Sequence, residues 1–177
     1  MTSAVQDGHG APPQGVVLTP DRAAQLGNLY AQIVQSVQSV LYADDDTVQL
    51  AVGCLLAQGH LLVEDLPGLG KTTLAKGIAE GFGAAEADDV TSPTFTLIHE
   101  YHGPDKDVYH IDLYRLEKPG ELDSLGLDDL MTEERNVLLI EWGEKFPRIL
   151  QQKDAEIVIR RVGHDERKLR LTTGLES

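Results

Sequence analysis

A single cysteine, Cys54, stands among the 177 residues, so no internal disulfide can form. The sequence also lacks an apolar run of transmembrane length and a secretory leader pattern. With the lone thiol, these absences point to a reducing cytoplasm and leave packing as the role of Cys54. Positive charge is scarce: 15 Lys and Arg stand against 29 Asp and Glu, a formal net charge of −14, with an isoelectric point of about 4.7. Such a surface repels phosphate backbones and excludes unaided, sequence-independent binding to nucleic acid; any nucleic-acid role passes through a partner. Tryptophan occurs once, at Trp142. What is present is 41% apolar residues, enough for one core, and a length that suits a single α/β domain better than two. Residues 1–15 carry no periodic apolar pattern and read as a mobile tail, leaving 16–177 as one domain.

The most informative stretch is 61–73, Leu-Leu-Val-Glu-Asp-Leu-Pro-Gly-Leu-Gly-Lys-Thr-Thr. A short apolar strand runs into a glycine loop that opens on Lys71-Thr72-Thr73 and a helix, which is the spelling of a phosphate-binding loop. Gly68, Leu69 and Gly70 let backbone N–H groups turn around a polyphosphate, the Lys71 ammonium reaches its β/γ oxygens, and the Thr72 hydroxyl suits Mg²⁺. A nucleoside triphosphate is the expected ligand; a plain glycine turn with an exposed lysine is the competing reading. The loop is a variant, because Asp65 stands where the usual pattern has its first glycine. Leu74, Ile78 and Phe82 then fall on one helical face, and Gly83 ends the helix.

Upstream, Thr19-Pro20-Asp21 caps a helix with a stripe of Leu26, Leu29, Ile33 and Val37. A second helix follows Asp44-Asp45-Asp46, a charge cluster suited to a helix N-terminus, and stops at Gly59. Downstream, Pro93 sits in a short loop followed by a strand from about Phe95. Residues 108–115 alternate and pair with it across the Gly103-Pro104-Asp105-Lys106 turn. A short acidic helical excursion spans Pro119 to Leu130. The run Val137-Leu138-Leu139-Ile140 before Glu141 reads as a central parallel strand buried on both faces. Residues 155–160 and 167–172 form a terminal hairpin around 163–166. The expected architecture is a mostly parallel sheet flanked by helices, a P-loop NTPase fold with a C-terminal antiparallel hairpin.

A triphosphate site needs acids to complete it. Glu141 closes a strand whose carboxyl end, in a parallel sheet, faces the phosphates, and is the first choice for a metal-site acid. Asp112 is the second, with a structural pairing to Arg115 as the alternative. Trp142 either stacks near a base or fills core. Thr91-Ser92-Pro93-Thr94 either reaches a γ-phosphate as a switch loop does or makes an ordinary turn. His99 and His102, three apart on strand-like sequence, point to opposite faces and do not suggest zinc.

The blocks Thr91-Ser92-Pro93-Thr94-Phe95-Thr96-Leu97, His110-Ile111-Asp112-Leu113-Tyr114-Arg115 and Leu139-Ile140-Glu141-Trp142, in that order behind a phosphate loop, resemble the signature of the TsaE (YjeE) family. The resemblance covers roughly Ala79 to Thr173. It implies an ATP hydrolase serving threonylcarbamoyladenosine formation in tRNA, in complex with TsaB and TsaD proteins, which engage the tRNA. It also implies that the Ser-Pro-Thr block with Thr94 is a switch, that Asp112 and Glu141 serve a magnesium–ATP site, and that Trp142 lies beside the nucleotide. Residues from about Leu26 to Ala79, including the Asp65 and Pro67 spelling of the loop, instead resemble the start of MoxR-type AAA+ ATPases. A MoxR-type remodelling ATPase is therefore one alternative, although only about 100 strand-rich residues follow the loop, which does not suit a helical lid. A nucleotide-binding module without turnover is another. A nucleotide kinase is disfavoured because half of the arginines fall in the last hairpin.

Overall fold

A computed structural model describes residues 19–40, 45–56, 59, 61–64, 71–161 and 167–173. The expected tail at 1–15, the loop residues Asp65, Pro67, Gly68, Leu69 and Gly70, and the turn at 163–166 lie outside the described residues. Helices α1 (Pro20–Val40) and α2 (Asp45–Leu56) precede strand β1 (Leu61–Glu64) and helix α3 (Lys71–Gly81). Strands β2 (Ile98–His102) and β3 (Asp107–Asp112) follow. Short helices α4 (Pro119–Asp123) and α5 (Leu127–Thr132) lead to β4 (Asn136–Glu141). Helix α6 (Pro147–Gln152) and strands β5 (Ala155–Arg161) and β6 (Arg167–Thr173) complete the chain. The six strands form one sheet in the order β2-β3-β4-β1-β5-β6. Its four central strands are parallel, and an antiparallel strand closes each edge.

Side-chain alternation divides the core into two layers. Leu61, Val63, Val108, Val137, Leu139 and Ile157 face Ile33, Val37, Leu55, Leu74 and Ile78 from α1, α2 and α3. Leu62, Ile111, Leu138 and Ile140 face Leu122, Leu127 and Ile149 from α4, α5 and α6. Strand β4 is buried along its whole length, as its continuous apolar run predicts. Both predicted hairpins are present.

Helix α3 ends where the sequence places its stop. Gly83 has φ of +65°, and its N–H donates to the Glu80 carbonyl while that of Ala84 donates to Ala79. That is a Schellman cap. Beneath α1, glycine serves a different purpose: a Cβ on Gly77 or Gly81 would lie 2.6 Å from the Cα of Val37 or Ile33. The two helices touch backbone to side, so the neighbour that must yield is main chain. Gly81→Ala is expected to destabilise the fold by about 1–3 kcal/mol in thermal or urea melts. Gly27, exposed on α1 with nothing within 4 Å of its added methyl, should show the opposite sign, Gly27→Ala stabilising by about 0.5–1 kcal/mol.

Three local readings change. Leu26, the first member of the predicted α1 stripe, is exposed; the buried face begins at Leu29. The strand expected from Phe95 starts at Ile98, because the Leu97 N–H turns back to the Pro93 carbonyl at 2.6 Å and Leu97 adopts a left-handed φ of 69°. That turn leaves Phe95 87% exposed. Residues 143–154, unassigned from the sequence, hold α6, which starts with Pro147 at its first position.

Candidate active site

Strands β3 and β4 run in parallel with His110 beside Leu139 and Asp112 beside Glu141. By alternation Val108, His110 and Asp112 share a face with Val137, Leu139 and Glu141, the face covered by α1 to α3. That surface changes from apolar to charged toward the carboxyl ends of the strands. Asp112 and Glu141 are the last residues of their strands, and both are buried. At the same end, α3 begins with Lys71, also buried, followed by half-buried Thr72 and Thr73.

The ammonium of Lys71 lies 3.8 Å from Glu141 Oε2 and 4.7 Å from the centre of the Trp142 ring. The second carboxylate oxygen of Glu141 accepts a hydrogen bond from His110 Nε2 at 2.7 Å. Asp112 is held from both sides. Its Oδ2 accepts from the Thr94 hydroxyl at 2.9 Å and the Ser92 hydroxyl at 3.4 Å, and its Oδ1 accepts from the Tyr114 N–H at 2.9 Å. Arg115, offered by the sequence as a partner for Asp112, instead places its guanidinium 5.1 Å from the centre of the Phe95 ring.

Backbone strain collects here. Leu97 and Trp142 are the non-glycine residues with positive φ among those described, and each adjoins one of the two acids. The Leu97 carbonyl accepts the Asp112 N–H at 2.9 Å, and the Glu141 carbonyl accepts that of Leu113 at 3.0 Å. Left-handed conformations cost a bulky residue about 1–3 kcal/mol and persist where surrounding contacts over-determine them. At Trp142 the turn swings the indole off the strand line, where it meets the Tyr114 ring at 5.2 Å.

Two residues with no sequence expectation attached complete the surroundings. Lys145 donates to the carbonyls of Tyr114 and Leu116, each at 2.6 Å, clamping the segment after β3 to the turn after β4. Glu144 is half-buried; burial pushes its carboxyl above the usual value, against a backbone hydrogen bond and the charges of Lys71 and Lys145. The described residues around Lys71 are thus rich in acid. His110 carries a signal in the sequence: its two-residue spacing from Asp112 on an alternating strand puts both on one face. His99 and His102 diverge, the first toward Thr91 and the second toward Asp107.

The family model described as "Threonylcarbamoyl adenosine biosynthesis protein TsaE" matches residues 23–169. The chain belongs to the TsaE family. The match takes in residues 26–79, whose loop spelling resembles MoxR-type ATPases, so a variant loop sits inside a TsaE-family domain. The tRNA threonylcarbamoyladenosine biosynthesis protein TsaE of Bacillus subtilis is 43% identical over 112 residues, covering 63% of this chain and 68% of that protein. Its counterpart from Rickettsia bellii is 31% identical over 138 residues, covering 76% and 94%. The crystal structure of Bacillus subtilis YdiB superposes with a TM-score of 0.52 at 30% identity, covering 84% of this chain and 80% of that one. The fold of this TsaE-family chain is that of a P-loop NTPase, a mixed α/β fold with a six-stranded sheet flanked by helices. Among the described residues, no helix is long and apolar enough to cross a membrane.

Proposed function

We propose that this chain is a magnesium-dependent ATPase that supports threonylcarbamoyladenosine formation in tRNA, acting in complex with TsaB and TsaD proteins. The observation that carries the reading is the meeting of buried Lys71, from the start of α3, with buried Glu141 at the end of β4, beside Asp112. An ammonium at a helix N-terminus facing strand-end acids is the arrangement a triphosphate requires.

The donor set fits the metal. Thr72, Asp112 and Glu141 offer hard oxygens. No three His, Cys, Asp or Glu side chains among the described residues are grouped to hold an ion. Magnesium is typically held this way, by one or two protein oxygens together with substrate phosphates. Thr72 and Glu141 would hold it, with Asp112 alongside, and when bound it supplies charge neutralisation at the phosphate oxygens.

The protein groups have separate tasks. By the sequence pattern, the amides of Gly68 through Thr73 cradle the phosphates while Lys71 exchanges its contact with Glu141 for them. Asp112, fixed by Thr94 and Tyr114, orients the attacking water, and Thr94 links that acid to the Ser-Pro-Thr segment. Trp142, with Tyr114 against it, offers a flat surface beside the nucleotide. Turnover by the chain alone is slow, because no arginine finger stands among the described residues of the site and Arg115 is stacked on Phe95. The net charge of −14 supports a role in which partners, not this surface, hold the tRNA. The names of the relatives support the same pathway.

Phosphate release from ATP tests the reading, measured for the chain alone and with TsaB and TsaD, with magnesium and after its removal by EDTA. Slow release alone, faster release in the complex and none with EDTA are expected. Bound ATP without release in any mixture would leave a nucleotide-binding module.

A further inference from the structure

Position 110 lies inside the apolar ladder between the sheet and α1 to α3, where its face neighbours Val108, Val137 and Leu139 are all at most 1% exposed. A leucine would complete that ladder with every atom satisfied. The chain places a histidine there, 1% exposed, with Nδ1 buried and lacking any hydrogen-bond partner. Burying an imidazole with one nitrogen unpaired is unfavourable, so packing does not account for it. Its whole hydrogen-bonding capacity goes to one acceptor, Glu141 Oε1, at 2.7 Å. A carboxylate only accepts, so Nε2 carries the hydrogen.

We propose that His110 is a positioning residue: by donating from Nε2 to Glu141 Oε1 it fixes the carboxylate plane, so that Oε2 is presented toward Lys71 and the phosphate end of the site. The inference rests on the ATPase reading and adds to it the group that sets the geometry of its principal acid. The second oxygen alone then faces Lys71, at 3.8 Å. Without the His110 bond, Glu141 is free to rotate about its terminal torsion, which is broad and roughly two-fold. Partners behind a metal-site acid typically change affinity or activity by 10- to 100-fold when removed.

The test uses the full chain with TsaB and TsaD, comparing His110→Leu, which packs but cannot donate, with His110→Gln, which restores an N–H donor. His110→Leu should lower kcat by roughly 10- to 100-fold and raise the magnesium concentration needed for half-maximal ATP binding, read from the fluorescence of Trp142. Its melting temperature should stay at or above the wild-type value, and His110→Gln should recover part of kcat. In a Glu141→Gln background, His110→Leu should cost little more, because the acid it orients is gone. Phosphate release left intact by His110→Leu, equal losses in both His110 variants, or additive losses in the double variant would each overturn the positioning role alone. Absence of release from the wild-type complex would instead refute the ATPase reading.

Discussion

Lys71→Ala is expected to abolish ATP binding, weakening affinity by at least about 100-fold. Among the described residues, Lys71 is the cation that stands at the start of α3 next to the strand-end acids, where the proposed reading puts the triphosphate. Glu141 and Glu144 place negative charge near it, so its removal leaves incoming phosphates without the ammonium that offsets those acids. A charge-assisted contact to phosphate, together with the repulsion it offsets, readily exceeds the roughly 2.7 kcal/mol that a 100-fold change represents. Truncation also strips Glu141 of a buried countercharge, which by itself destabilises buried pairs. Isothermal titration or Trp142 fluorescence measures the affinity, and a melting curve separates loss of binding from loss of fold. Nucleotide affinity unchanged in a folded Lys71→Ala protein would remove the phosphate-loop assignment.

Asp112→Asn should leave binding within a few-fold and reduce turnover by about 10²- to 10³-fold. The substitution isolates charge from shape. An asparagine oxygen still accepts the Tyr114 N–H, and its amide can donate to the Thr94 and Ser92 hydroxyl oxygens, which accept as readily as they donate. The segment carrying Ser92 and Thr94 therefore keeps its anchor. What disappears is the carboxylate charge at the end of β3, to which the proposed function gives the task of orienting water or metal. Steady-state phosphate release of the complex gives kcat, and equilibrium nucleotide titration gives affinity. Equal loss in both would show that Asp112 acts on binding, and no loss in either would return it to a structural role.

The parts of this protein that depend on neighbouring residues are legible in the amino-acid order itself. The phosphate-loop spelling, the stop of α3 at Gly83, the two hairpins and the doubly buried β4 each rest on a local rule of backbone geometry or periodicity. Local rules also misplace the start of β2. Phe95 has every property of a strand residue, and only the Pro93–Leu97 turn, locked by the bond from Asp112 to the Leu97 carbonyl, keeps it out of the sheet.

The candidate site divides the same way. Its acids are marked by their place at the ends of strands, because a parallel sheet puts all such ends on one edge. Which group touches which is not marked, since the contacts join residues 18 to 71 positions apart and depend on the order in which strands enter the sheet. Tertiary structure alone gives Asp112 to Thr94 rather than Arg115, sets Lys71 over Trp142, and turns His110 toward Glu141. It alone requires glycine at positions 77 and 81, where α1 crosses. The sequence by itself determined an α/β fold with a phosphate-loop spelling and two strand-end acids, because those features are written in spacing. Only the packed sheet decided how the acids are held, because hydrogen-bond partners are chosen by distance in space and not along the chain.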